Sequence, residues 1–135
     1  MANLEVPRFI LPDNKQYLWK FIQFDVEGEP FFRYKETAPN NPSEHRNILL
    51  DALSELGVKA DFTGTGISRT ILKKGQDYEI AGAGFMNYSN RSQKKYFLYD
   101  ESSYFWLKPN QDHLDRLTPY IPPEIKIVIE NPFER

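Results

Sequence analysis

Apolar positions recur at every second place in YLWKFIQFDV. Leu18, Ile22, Phe24 and Val26 share one face with Lys20, while Tyr17, Trp19, Phe21, Gln23 and Asp25 share the other. This alternation predicts a strand over 17–26. Glu27-Gly28-Glu29 then reads as a turn into a second strand, PFFRYKE. After TAPNNP the period changes. Ile48, Leu49, Ala52, Leu53 and Leu56 fall on one stripe of a helix over 42–56, with Asn41 as N-cap and Pro42 at the first helical position. Glu44 has capping-box spacing, and Gly57 supplies a left-handed stop. Extended back one turn, the buried stripe arrives at His45.

The remaining pattern predicts strands in VKADFT, SRTILKK and DYEIAGAGFM. An aromatic hairpin follows in KKYFLYDESSYFWLK, turning at Asp100-Glu101-Ser102. A short helix over 110–118 starts at Asn110, and prolines 119, 122 and 123 separate it from a terminal strand, EIKIVIE. Residues 1–16, with two prolines and no clear period, form an irregular arm. Strands interrupted by two separated helices imply an α+β fold. The expectation is a single domain over 17–135, with a mixed sheet of about six strands and two helices packed on it. Sheet order is not readable at this level.

A net charge of −2 argues against a nucleic-acid partner, although Arg91, Lys94 and Lys95 form a local basic group. The absence of cysteine removes disulfides, thiol catalysis and thiolate metal ligation, and two histidines are too few for a histidine-rich metal site. No apolar run reaches the ~20 residues of a membrane span, and the N-terminus lacks a signal-like pattern. A cytoplasmic protein with no membrane partner is therefore expected.

Several residues admit both a structural and a chemical reading. Lys20 interrupts an apolar row; it either snorkels to water at a strand end or points into an anion pocket. His45 is either a buried imidazole satisfied by a carbonyl or a neutral base beside a helix N-terminus, whose free amides attract an anion. Arg33 is either an exposed strand position or an anion clamp. Gly64-Thr65-Gly66 lacks the Lys-Ser/Thr ending of a P-loop, and the small residues at 81–84 either relieve crowding or let backbone amides approach a ligand. His113, among Asp112, Asp115 and Arg116, reads as a solvated surface residue.

In order, KFIQFDV, FFRYK, EHRNILLDAL, GTGIS, IAGAG and QDHLDRLTPYIPPEIKIVI resemble, remotely, the Janus/Ocnus family, which includes the small phosphohistidine phosphatases. The likeness runs over about residues 17 to 130 through order and spacing. It implies that His45 acts in dephosphorylation, that Lys20 binds the phosphoryl group, and that backbone amides at Gly84 and Met86 cradle it. Arg33 is an additional candidate clamp. The family's Arg after its triple glycine is Ile67 here, and its Tyr-Gly-Tyr-Ser is Ala81-Gly82-Ala83-Gly84. The segment 94–107 reads as an insertion into the family pattern. The resemblance implies a phosphatase acting on a phosphoramidate or phosphohistidine, in a protein or a small molecule, with no metal or organic cofactor. The alternative is an inactive binding module of the same fold that uses the aromatic hairpin as a surface for a protein partner.

Overall fold

The strand predicted over 17–26 is β1, Trp19–Val26, in a computed structural model that describes residues 2–12, 18–37, 44–66, 69–89 and 95–132. Glu27 and Gly28 both have positive φ, 52° and 80°, and turn the chain straight into β2, Glu29–Glu36. A two-residue connection of this hand matches the right-handed twist of the strands it joins. The helix α1 covers Glu44–Leu56 and ends at Gly57, whose φ is 71°. Asn41 and Pro42, expected to start it, lie outside the described residues, as do Tyr17, Ile67, Arg91 and Lys94.

The next two predicted strands shrink to a two-residue pair, β3 (Phe62–Thr63) with β4 (Thr70–Ile71), apart from the main sheet. Beyond them come β5 (Tyr78–Ser89), β6 (Lys95–Tyr99), α2 (Gln111–Leu117) and β7 (Lys126–Ile129). The main sheet has five strands in the order β2-β1-β5-β6-β7. It is mixed: β6 and β7 run parallel, and every other neighbouring pair is antiparallel. The described residues thus form a small α+β domain with two α-helices.

Over 95–107 the expected aromatic hairpin does not form. Its first arm is β6, a strand inside the sheet between β5 and β7. Its second arm is a tight loop closed by a single bridge between Ser102 and Leu107. The loop drops Phe105 into the core at 1% exposure and leaves Trp106 72% exposed. Pairing of β6 on both sides commits its aromatics to the sheet, so they are not a displayed surface.

Each face of the sheet carries a core. On one, Ile22, Phe24 and Val26 meet the predicted α1 stripe of Ile48, Leu49, Ala52, Leu53 and Leu56. On the other, Trp19, Phe21, Phe32, Met86 and Leu98 meet Leu114 and Leu117 of α2. The described part of the N-terminal arm, residues 2–12, is irregular but docked. Asn3 N–H donates to the Leu56 carbonyl, Phe32 N–H donates to Arg8, and Phe9 stacks on Phe32 with ring centroids 4.8 Å apart. Among the described residues no helix is long and apolar enough to cross a membrane.

Candidate functional site

A register shift decides which residues of β5 face α1. Between Gln23 and Phe24 the partner on β5 jumps from Gly82 to Ile80, leaving Ala81 as an extra residue. Tyr78 and Ile80 face the α1 core before the bulge, Ala83 faces it after, and Met86 falls into the opposite core. Phe85, directly opposite Lys20, therefore stands on the α1 face. Gly82 is required here. A Cβ on it would come 2.5 Å from Oε1 of Gln23 and 2.9 Å from the Lys108 carbonyl. Asn110 supports the same place by donating from Nδ2 to the Ala81 carbonyl.

His45 and Lys20 are brought together around Phe85. The His45 ring meets Phe85 edge-on at 6.0 Å between centroids, and Lys20 Nζ lies 5.8 Å from the same ring centre. Phe85 in turn stacks on Tyr99 at 6.2 Å. His45 is 2% exposed. Its Nε2 lies 2.9 Å from the Gly84 carbonyl, and because a carbonyl only accepts, Nε2 carries the proton. Burial is the main force holding the imidazole below its ordinary pKa; the Gly84 carbonyl opposes it, the Lys20 charge adds to it, and the Glu44 charge opposes it. The ring is thus neutral near pH 7, and Nδ1 holds the lone pair. Its environment is drier than helix-start chemistry alone requires.

Lys20 is not a solitary cation. Its ammonium pairs with Oε1 of Glu44 at 3.1 Å, with side-chain exposures of 13% for the lysine and 0% for the glutamate. The residue read as a helix cap is therefore also the counter-ion of the predicted phosphate ligand. Tyr99, at the rim of this cluster, is pushed up to about 12 by burial and by the charge of Asp100, so its hydroxyl stays protonated.

The other predicted ligands are placed differently. Gly84 contributes its carbonyl, to His45. A side chain could not stand there without movement, since a Cβ would lie 2.6 Å from the Tyr99 carbonyl oxygen. Met86 is fully buried on the α2 face and in register with Trp19 on one side and Leu98 on the other, so its backbone lies within the ladders. Arg33 bonds to Glu55, to the Pro7 carbonyl and to the carbonyl of Phe32. Glu55 is ten residues along α1 from His45, about 15 Å at the helical rise, so Arg33 ties down the far end of the helix.

His113 is not solvated. It is 2% exposed, with Nε2 3.1 Å from the Phe24 carbonyl and 3.3 Å from Oδ1 of Asp25. Gln23, fully buried, joins it: its Nε2 is 3.5 Å from His113 Nδ1 and donates to the Asn110 carbonyl, while its Oε1 accepts from Asn110 N–H. Burial alone would raise the Asp25 carboxyl; the hydrogen bond and charge of His113 and the Arg116 guanidinium outweigh it and hold the group below its usual range. The network is a polar clamp fixing α2 to the sheet. Its sequence signals are Gln23 in an apolar row and the spacing of His113, Leu114 and Leu117, which together make one helix face. Among the described residues no group of three or more His, Cys, Asp or Glu side chains is arranged to hold a metal ion. Compared with models of known protein families and with curated proteins, the chain finds no match.

Proposed function

We propose that the chain is a phosphatase-like hydrolase of the Janus/Ocnus type, acting without a metal on a phosphoramidate such as phosphohistidine. The observation that carries this reading is the bond from His45 Nε2 to the Gly84 carbonyl. It holds the imidazole in one tautomer and leaves Nδ1 as the basic nitrogen, beside the first turn of α1 and next to Lys20. In the reaction Nδ1 serves as general base to water or as nucleophile on phosphorus. As general base, Nδ1 takes a proton from the attacking water and returns it to the leaving nitrogen as the P–N bond breaks. As nucleophile, it takes the phosphoryl group while the leaving nitrogen takes a proton from solvent; a water then cleaves the new P–N bond and restores the free imidazole. Lys20 exchanges Glu44 for a phosphoryl oxygen and stabilises the charge developing there. Because His45 is 2% exposed, substrate on this reading reaches Nδ1 only with local movement of the side chains packed on it, Phe85 among them. The backbone carbonyl of Gly84, rather than an amide cradle at Gly84 and Met86, is the part of β5 that serves the site.

Two observations favour a second reading, a binding module without turnover: the Lys20 charge is already matched by a buried carboxylate, and Trp106 stands 72% exposed on a loop held by its buried neighbour Phe105. An exposed Trp anchored in this way suits a protein partner. Hydrolysis of a phosphoramidate by native chain, His45→Gln and Lys20→Met, with and without chelator, separates the readings. The enzyme reading expects turnover that is insensitive to chelator, abolished in the first variant and reduced in the second. Turnover unchanged in His45→Gln, or lost to chelator, overturns the mechanism; no turnover in the native chain leaves the binding module.

A further inference from the structure

The two edges of the main sheet are finished differently. Along β2 the N-terminal arm covers the outer side, with Phe32 N–H donating to Arg8 at 2.9 Å and Phe9 bridging in parallel to Phe32. Among the described residues β7 pairs with β6 alone, so its other side is a sheet edge. Glu130 N–H donates to the Leu98 carbonyl at 3.0 Å, which sets the phase of the strand. Backbone groups of Lys126, Val128 and Glu130 point towards β6, and those of Ile127 and Ile129 point outwards. An edge with Ile-Val-Ile at its centre is a template for a further strand.

We infer that this edge is the contact of a twofold homodimer, in which β7 pairs antiparallel with β7 of a second copy about Val128. The order Lys126-Ile127-Val128-Ile129-Glu130 is its own complement when reversed. Pairing about Val128 sets Ile127 opposite the second copy's Ile129, and their outward groups exchange both N–H···O bonds at each such pair. Lys126 then faces the second copy's Glu130, and Glu130 faces its Lys126. Both pairs fall at non-hydrogen-bonded positions, where facing side chains approach most closely. Lysine on an edge strand ordinarily repels a newcomer; here it meets a carboxylate, and a slip of two residues would set both charges against other groups. A contact of this kind is isologous, as a closed dimer requires. Ile127 and Ile129 are only half-buried and belong to the α2 face, beside a groove of about 430 Å³ that includes Leu114, Ile121 and Ile125. Two copies joined at β7 would run their isoleucines into one apolar row there.

The test is sedimentation or light scattering at roughly 100 μM chain, a concentration that populates a dimer of micromolar affinity. The measured proteins are the native chain, Lys126→Glu, Glu130→Lys and the charge-swapped double variant, with melting curves to confirm folding. The native chain is expected at the mass of two copies. Each single reversal places like charges opposite each other twice and weakens association about tenfold or more. The double variant regains it, and so does an equimolar mixture of the two single variants, whose edges are again complementary. A monomeric native chain, single variants that dimerise as the native chain does, or a mixture that fails to associate would each overturn the inference.

Discussion

Replacing His45 by Gln separates the two properties that burial confers on this side chain. A glutamine N–H can still donate to the Gly84 carbonyl, which His45 Nε2 now reaches at 2.9 Å, but it has no basic nitrogen. Folded and unfolded states differ in proton uptake because the folded imidazole lies below its ordinary value of 6.5, chiefly through burial. The unfolded chain thus binds a proton that the folded one excludes. Stability is full above pH 6.5 and falls as pH drops from there towards the folded value, at about 1.4 kcal/mol per pH unit while the folded ring stays neutral. Between pH 7.5 and 5.5 the largest loss assignable to His45 is therefore about 1.4 kcal/mol. Urea denaturation of both proteins at the two pH values measures it. The variant, less stable at pH 7.5 by about 1–2 kcal/mol through weaker packing on Phe85, should show a shallower decline than the native chain. Any effect of His113 is common to both proteins and cancels. Equal declines would refute the argument that His45 is held neutral by its surroundings.

Three further outcomes follow from the packing. Phe105→Ala, at 1% exposure, should cost about 3–5 kcal/mol in a melting experiment, whereas Trp106→Gly should leave stability within about 1 kcal/mol or raise it, because Trp106 is exposed and sits at φ 57°. Equal losses would contradict the division between anchor and display. Gly84→Ser should destabilise by about 1–3 kcal/mol, since its Cβ meets the Tyr99 carbonyl at 2.6 Å; a neutral result would show that β5 and β6 part easily. Glu44→Gln should lower stability by about 1–3 kcal/mol, less than for a fully enclosed pair because Lys20 keeps some access to water, and should raise kcat/KM for a phosphorylated substrate by removing the charge that competes with a phosphoryl group for Lys20. Unchanged kinetics in an active protein would place Lys20 outside the reaction.

Local periodicity carried much of this molecule. The alternation of Ile22, Phe24 and Val26 and the stripe from His45 to Leu56 are properties of single elements, and each is buried on the face that its period assigns, with Lys20 at the margin of the first. Asn110 capping α2 and Gly57 stopping α1 are equally local, because each acts within a few residues of the backbone it serves. What the chain pattern could not reveal depends on partners far away in sequence. The bulge at Ala81 reverses the facing of β5, setting Phe85 beside His45 and sending Met86 to the other core; its determinants are Gln23, Lys108 and Asn110. Glu44 reads from its neighbours as a cap, and only the approach of β1 makes it the partner of Lys20. His113 reads as solvated among its charged neighbours, and only the polar gap at Gln23 draws it beneath α2. The aromatic run at 94–107 looks like a hairpin because its turn residues are local, while parallel pairing with β7, some thirty residues on, makes its first arm a sheet strand. A side chain's period comes from its own backbone, but its facing after a bulge, its counter-ion and its strand partner are set by whichever segment packs against it.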